Sequence, residues 1–181
     1  MSSLEKKSML AEFRPTIVFL LKFVGLYVGG NILYGMFITS YEPEVDVVTR
    51  FITHQSSLFL NLLGWDSQPV DLPGKPTTYI EWNGKGIVSV YEGCNALNVI
   101  IVFASFVFSF GPLNRKLWTY LPLSLLVIYL ANIARIVLLF FVVIYLNPYV
   151  YFAHKYFFTA SIYAVVLVLW VWWIRINDKR V

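Results

Sequence analysis

Residues 118–146 read WTYLPLSLLVIYLANIARIVLLFFVVIYL, an apolar run that contains a single charge, Arg135. A bilayer core about 30 Å thick is crossed by roughly 20 apolar residues in helical form. The run is longer than that, and Asn147 and Pro148 close it. It therefore predicts a membrane-spanning helix and sets the class of the whole fold.

Three further apolar stretches surround this run: residues 16–38, 94–111 and 156–174. The last ends in tryptophans of the kind that lie at lipid headgroup level, namely Trp170, Trp172 and Trp173. The sequence thus predicts an all-α polytopic membrane protein with at least four transmembrane helices. We expect a single membrane-embedded domain over residues 1–181.

The composition excludes several other classes. The chain is 59% hydrophobic and 13% charged, whereas a soluble domain has about 25% charged residues. Its single cysteine excludes an intramolecular disulfide framework, and one Cys with two His argues against a zinc cage. The basic residues are scattered, which argues against nucleic acid. With no phosphate loop or flavin signature, no cofactor and no metal are expected.

Loop charges predict the orientation, because Lys and Arg accumulate on the cytoplasmic side. With the N-terminus inside, the inner flanks hold eight of the 14 basic residues: Lys6, Lys7, Arg14, Arg115, Lys116, Arg175, Lys179 and Arg180. The outer segments hold four, beside seven acids: Arg50, Lys75, Lys85 and Lys155. Both termini are therefore predicted to be cytoplasmic, and residues 39–91 to face outward.

The outer segment has a pattern of its own. Residues 47–63 place apolar side chains at helical spacing, which predicts an amphipathic helix lying along the membrane surface and ending at Gly64. Residues 77–82 and 87–90 are rich in β-formers, and the four residues Asn83-Gly84-Lys85-Gly86 between them predict the turn of a short β-hairpin. This hairpin leads directly into Tyr91-Glu92-Gly93-Cys94.

Arg135 is the strongest functional signal. A charge at mid-bilayer costs at least about 2.5–3.5 kcal/mol on insertion scales, so it must face protein or a wet cavity. The alternative is an Arg that snorkels to the interface, because it lies about 25 Å along a helix beginning at Trp118. Asn132 is one turn earlier on much the same face, where it could orient the guanidinium.

Cys94 and His154 each allow two interpretations. A free cysteine is usually a small buried hydrophobe, but Cys94 lies at a span entrance, two residues after Glu92. Free N–H groups of an early helical turn and a nearby Arg would favour its thiolate. His154, taken alone, is typical of an interfacial histidine, and His54 has no comparable partner.

The predicted topology brings three of these residues to one membrane face. The second span runs inward from Cys94, the third runs outward past Arg135, and the fourth runs inward after His154. A thiol beside an imidazole, with a cation for a developing oxyanion, is suited to covalent acyl transfer. Because a membrane has only two sides, three residues can reach the same side by chance. Their convergence therefore suggests a shared site but does not establish one.

These residues, in this order, resemble the exosortase/archaeosortase family of membrane cysteine transpeptidases. The likeness covers about residues 47–174 and rests on the surface helix, the Cys motif, Asn-x-x-Arg-Ile at 132–136 and a His before the last helix. The short length is most similar to the exosortase F branch. The family's Cys-Ser-Gly motif, followed by Leu or Ile and then Arg, is here Cys94-Asn95-Ala96-Leu97-Asn98.

The resemblance implies catalytic roles for Cys94, Arg135 and His154. Glu92 and Asn132 are candidate supporting residues because of their positions near Cys94 and Arg135 in the sequence. It implies a membrane-anchored substrate whose C-terminal sorting signal is a short motif, a transmembrane helix and a basic tail. The implied acceptor is a surface polysaccharide or a lipid. The implied location is the bacterial inner membrane, among membrane lipids, with the active site facing the periplasm.

Two other functions remain open on sequence alone. One is a noncatalytic assembly or secretion partner, for which Cys94 would be dispensable. The other is a lipid acyltransferase that uses the same thiol.

Overall fold

The computed structural model describes the backbone of residues 3–111 and 114–177, and the side chains of residues 13–111 and 114–177. Lys179 and Arg180, which enter the sequence argument above, lie outside the described residues, as do the side chains of Lys6 and Lys7.

The described chain is mainly helical. Its α-helices are α1 (Ser3–Thr39), α2 (Val47–Leu62), α3 (Leu97–Phe110), α4 (Arg115–Tyr145), α5 (Val150–Phe152) and α6 (Phe158–Asn177). Between α2 and α3 lie the strands β1 (Ser67–Asp71), β2 (Thr77–Trp82) and β3 (Lys85–Tyr91). Short 3₁₀ turns cover Glu92–Cys94 and Asn147–Tyr149, and Ala153–Phe157 is π-helical.

The predicted all-α membrane architecture is confirmed. Among the described residues, three helical stretches are long and apolar enough to cross a membrane: Phe13–Thr39, Arg115–Tyr145 and Asn147–Asn177. The third predicted span is one unbroken helix despite Pro122 near its start. The last begins earlier than predicted, so His154 lies within a helical segment and not before it.

The second predicted span is shorter than expected. Its helix, Leu97–Phe110, has 14 residues, or about 21 Å at 1.5 Å per residue. The cause is local, because Glu92–Cys94 forms a 3₁₀ turn and Ala96 has a left-handed backbone with φ of 65°. An α-helix cannot continue through that conformation, so it begins only at Leu97.

Close helix contacts hold the membrane part together. At Gly30 of α1, an added Cβ would lie 2.8 Å from Cγ2 of Ile101 in α3, so only glycine allows the two helices to approach this closely. Helices α3, α4 and α6 enclose a buried cluster around Phe103, Ile128 and Trp173. Trp173 is fully buried in this cluster, and its position at headgroup level stays a prediction.

Helix α2 is amphipathic as predicted, and its buried face is largely polar. The side chains turned toward the protein are Thr49, Ile52, Thr53, Ser56, Ser57 and Leu60. The exposed apolar ones include Phe51, Leu58, Phe59, Leu62 and Leu63. This arrangement suits a helix with protein on one side and an apolar medium on the other. Asp46 caps its N-terminus by accepting hydrogen bonds from the N–H groups of Val48 and Thr49.

The predicted hairpin exists, but it belongs to a larger sheet. Strands β1, β2 and β3 form an antiparallel sheet in that order. The predicted four-residue turn was wrong: Lys85 and Gly86 pair within β3, and the turn is Asn83-Gly84, both with positive φ. That is the geometry of a two-residue hairpin turn. Strand β1 was missed because Pro69 and two polar neighbours give an edge-strand pattern with little β signal.

A second buried cluster joins the sheet to α2 and α4. It includes Leu60, Ile80, Val90, Phe140 and Cys94 itself. Because β3 ends at Tyr91, directly before the Cys94 turn, the sheet fixes where the polypeptide enters the membrane part of the fold.

Candidate active site

Cys94 lies at the end of the 3₁₀ turn between β3 and α3 and is 4% exposed. Its Sγ is 3.8 Å from Nη2 of Arg135, which approaches from α4. Arg135 is half-buried and forms no ion pair with a carboxylate in the described part of the chain. Its contact with the thiol distinguishes it from an Arg that merely reaches the interface.

Asn132 supports the same turn from α4. Its Nδ2 donates to the Cys94 carbonyl oxygen at 2.9 Å, and the side chain is 0% exposed. We expected this amide to orient the guanidinium, but it holds the main chain of the cysteine instead. Its Oδ1 is buried and has no partner within the described residues, so one acceptor remains unused beside the site.

His154 lies in the π-helical segment Ala153–Phe157 and is half-buried. The charge of Arg135 acts on its ring. No hydrogen bond joins that ring to Cys94 or Arg135 among the residues described. The structure therefore brings Cys94 and Arg135 into contact, with His154 near Arg135, and the catalytic role of the imidazole stays a prediction. π-Helical segments are often found at functional sites.

Opposing effects act on the thiol. Burial raises the pKa of Cys94 above its usual value, because the anion is less well solvated. The Arg135 charge and hydrogen bonding from Tyr91 lower this pKa, whereas the Glu92 carboxylate raises it. The net direction is upward, so the resting thiol is mainly protonated and its ionisation depends on Arg135. Glu92, predicted as a supporting residue, acts here through its charge.

Tyr91 was not predicted from sequence. Its ring folds back over Gly93, where an added Cβ would lie 2.5 Å from Tyr91 Cε2, and its side chain lies beside the Cys94 thiol. The thiolate charge and burial raise the pKa of Tyr91, which keeps its hydroxyl a hydrogen-bond donor. Only the glycine at 93 hints at this contact in the sequence.

An apolar groove leads away from Arg135. One pocket of about 420 Å³ lies between α4 and the segment that begins at Leu146, and a second of about 250 Å³ includes Arg135. They share Leu138, Phe157 and Phe158 in their walls. Where side chains are described, no three His, Cys, Asp or Glu residues cluster as metal ligands would.

The described chain is a helical membrane fold in which a buried thiol contacts an arginine of a membrane-spanning helix. Residues 18–173 match the family model described as transmembrane exosortase. The chain therefore belongs to the transmembrane exosortase family, as the sequence resemblance predicted; the F branch stays a prediction. Membership supports a membrane protease or transpeptidase role in general. No curated protein and no solved structure matches the chain.

Proposed function

We propose that this protein is a membrane cysteine transpeptidase that cleaves the C-terminal sorting signal of exported proteins. The observation that carries the proposal is the 3.8 Å contact between Cys94 Sγ and Arg135 Nη2. The two residues come from different elements and meet in a buried site, where a cation acts on a thiolate more strongly than in water.

The reaction begins with attack of the Cys94 sulfur on the scissile carbonyl carbon. His154 takes the thiol proton, and Arg135 stabilises the negative charge of the tetrahedral oxygen. The C–N bond then breaks, the amine leaves with the proton from His154, and a thioester remains on Cys94. An amine or hydroxyl of a surface polysaccharide or lipid, or water, attacks the thioester and frees the thiol.

The apolar groove beside α4 supports this substrate class. A sorting signal contains a transmembrane helix, and a helix held along α4 would place the residue that precedes it near Arg135. Ala131, Ala134 and Ser161 in the wall are small, which permits close helix approach. Confinement to the membrane would align the scissile bond with the thiol.

The proposed location is the inner membrane, with both termini in the cytoplasm and the Cys94 turn on the periplasmic side. The charge distribution of the loops supports this orientation.

The test compares Cys94→Ser with His54→Ala, a matched control on the exposed side of α2. Each is co-expressed with a reporter that ends in a short motif, a transmembrane helix and a basic tail. We expect Cys94→Ser to accumulate in the membrane without processing the reporter, and the control to process it normally. Hydroxylamine should release reporter from the wild-type enzyme and from the His54→Ala control, but not from Cys94→Ser.

Other results identify the alternatives. Normal function of Cys94→Ala in its host would indicate a noncatalytic assembly or secretion partner. A fatty acyl group on Cys94, found by mass spectrometry in place of peptide, would indicate a lipid acyltransferase.

A further inference from the structure

A chain of buried hydrogen bonds begins at Asn95, the residue that follows Cys94. The Asn95 side chain is 2% exposed, and its Nδ2 donates to Thr49 Oγ1 at 3.1 Å and to the Tyr34 hydroxyl at 3.4 Å. Its Oδ1 accepts from the Leu97 N–H at 2.9 Å, at the start of α3. One amide therefore links the cysteine turn to α1, α2 and α3.

The far end of this chain is anchored by a buried carboxylate. The Thr49 hydroxyl donates to Asp46 Oδ2, so its oxygen is free to accept from Asn95. Asp46 is itself held as the N-cap of α2 by the N–H groups of Val48 and Thr49. Asn95, Thr49 and Asp46 therefore each have a defined donor or acceptor role. A buried network whose hydrogen bonds are all satisfied is rigid.

Glu92, two residues before Cys94, is tied to the same network through its carbonyl group. The Tyr34 hydroxyl donates to the Glu92 carbonyl at 2.9 Å, and Asn132 holds the Cys94 carbonyl from α4. The backbone is thus fixed before, at and after the cysteine. The thiol can remain 3.8 Å from Arg135 only while this turn keeps its position.

We propose that Asn95 is a positioning residue, which holds the Cys94 thiol against Arg135 through Thr49 and Asp46. This inference rests on the proposed function, because it assigns Asn95 to the same reaction without contact with the substrate. An amide suits the position because it offers a donor to Thr49 and an acceptor to Leu97 in one group.

The test measures alkylation of Cys94 in the full chain in detergent at pH 7, with iodoacetamide as the probe. Because Cys94 is the only cysteine, all label reports on it. The charged and titratable groups acting on this thiol are Arg135, Glu92 and Tyr91, and none of them is changed by Thr49→Val. One hydrogen bond contributes about 0.5–1.5 kcal/mol, and a change of that size corresponds to a change of about 2–13-fold in the alkylation rate.

We expect Thr49→Val, which removes two hydrogen bonds, to slow alkylation by at least that factor, because the thiol loses its contact with the guanidinium. Asn95→Leu removes three hydrogen bonds and should slow it at least as much. Thr49→Ser keeps the hydroxyl and should restore the wild-type rate. Asn98→Leu, at an exposed asparagine in α3, is the matched control and should have no effect. If Thr49→Val does not accumulate, Tyr34→Phe removes a single hydroxyl and should slow the reaction in the same direction.

A purely structural role is separated by repeating Thr49→Val with Arg135→Gln. If Asn95 and Thr49 act by placing the thiol at Arg135, adding Arg135→Gln to Thr49→Val should change the alkylation rate little further. The proposal would be overturned if Arg135→Gln slowed alkylation equally in the wild-type and Thr49→Val chains. It would also be overturned if Thr49→Val and Tyr34→Phe left the alkylation rate unchanged. Alkylation needs no substrate, so this result is independent of whether Cys94→Ser abolishes processing.

Discussion

Replacing Gly93 by alanine tests whether the Tyr91 ring is part of the site. The added methyl would lie 2.5 Å from Tyr91 Cε2 and 3.3 Å from Cδ2 and Cζ. Carbon atoms do not approach so closely, so the ring must rotate away. Tyr91 is 41% exposed, which leaves room for rotation, and the consequence is loss of its contact with Cys94 and not collapse of the fold.

The magnitude follows from three contributions. Turning the ring off its preferred rotamer costs about 0.5–1.5 kcal/mol, and losing the hydroxyl contact with the thiol costs about 0.5–1.5 kcal/mol. Alanine offsets about 0.4–1 kcal/mol by restricting the unfolded chain. At mid-range values the net loss in free energy of unfolding is about 1.3 kcal/mol, within limits of about 0–2.6 kcal/mol, which corresponds to a fall in Tm of about 3–5 °C for a chain of this size.

The assay is thermal unfolding of the purified full chain in detergent, as a double-mutant cycle with Tyr91→Ala. Without the tyrosine ring there is nothing for the methyl to displace, so Gly93→Ala should be neutral or slightly stabilising in that background. The reasoning is refuted if Gly93→Ala lowers Tm equally with and without the ring. Processing should fall in Gly93→Ala about as much as in Tyr91→Phe, which removes the hydroxyl alone.

Three further predictions concern the same turn. Because burial raises the pKa of Cys94 and Arg135 lowers it, Arg135→Gln should move the pH midpoint of alkylation further up, and Glu92→Gln should move it down; opposite shifts would contradict the assignment. Ala96→Val should destabilise the chain by more than 1 kcal/mol, because a β-branched residue is a poor fit to φ of 65°. Ala96→Gly should be neutral to stabilising in thermal unfolding, because the strain it relieves at least matches the greater freedom that glycine gives the unfolded chain. Asn132→Ala should lower the free energy of unfolding by about 1–3 kcal/mol, because the buried Cys94 carbonyl loses its donor, and denaturant unfolding of the two proteins checks it.

The sequence predicts the membrane class and the helices well, because long apolar runs have few alternatives in a bilayer. Residues 118–146 correspond to one helix, Arg115–Tyr145. The α2 boundaries are also close, since Asp46 is an N-cap and Gly64 ends the periodic pattern. What periodicity cannot give is the exact start of α3, which depends on the backbone of a single residue, Ala96.

The pairing of Cys94 with Arg135 could be anticipated only in outline. Alternating span direction puts both on one side of the membrane, but side alone does not set a distance. The network of Asp46, Thr49 and Asn95 could not be foreseen, because Asn95 is 46 residues from Thr49 in the chain and all three are ordinary polar residues of a helix cap and a turn. Tyr91 is similar, since its position depends on the absence of a side chain at Gly93.

The structure also accounts for a departure of this chain from its family's cysteine motif. The resemblance placed Ser-Gly where this chain has Asn95-Ala96, and Ala96 has a positive φ, a conformation that glycine adopts without strain. An alanine there costs about 1–2 kcal/mol. Asn95 counteracts this, because its Oδ1 satisfies the Leu97 N–H and its Nδ2 binds Thr49. We therefore expect the two substitutions to compensate, so that Asn95→Ser is tolerated better with Ala96→Gly than alone.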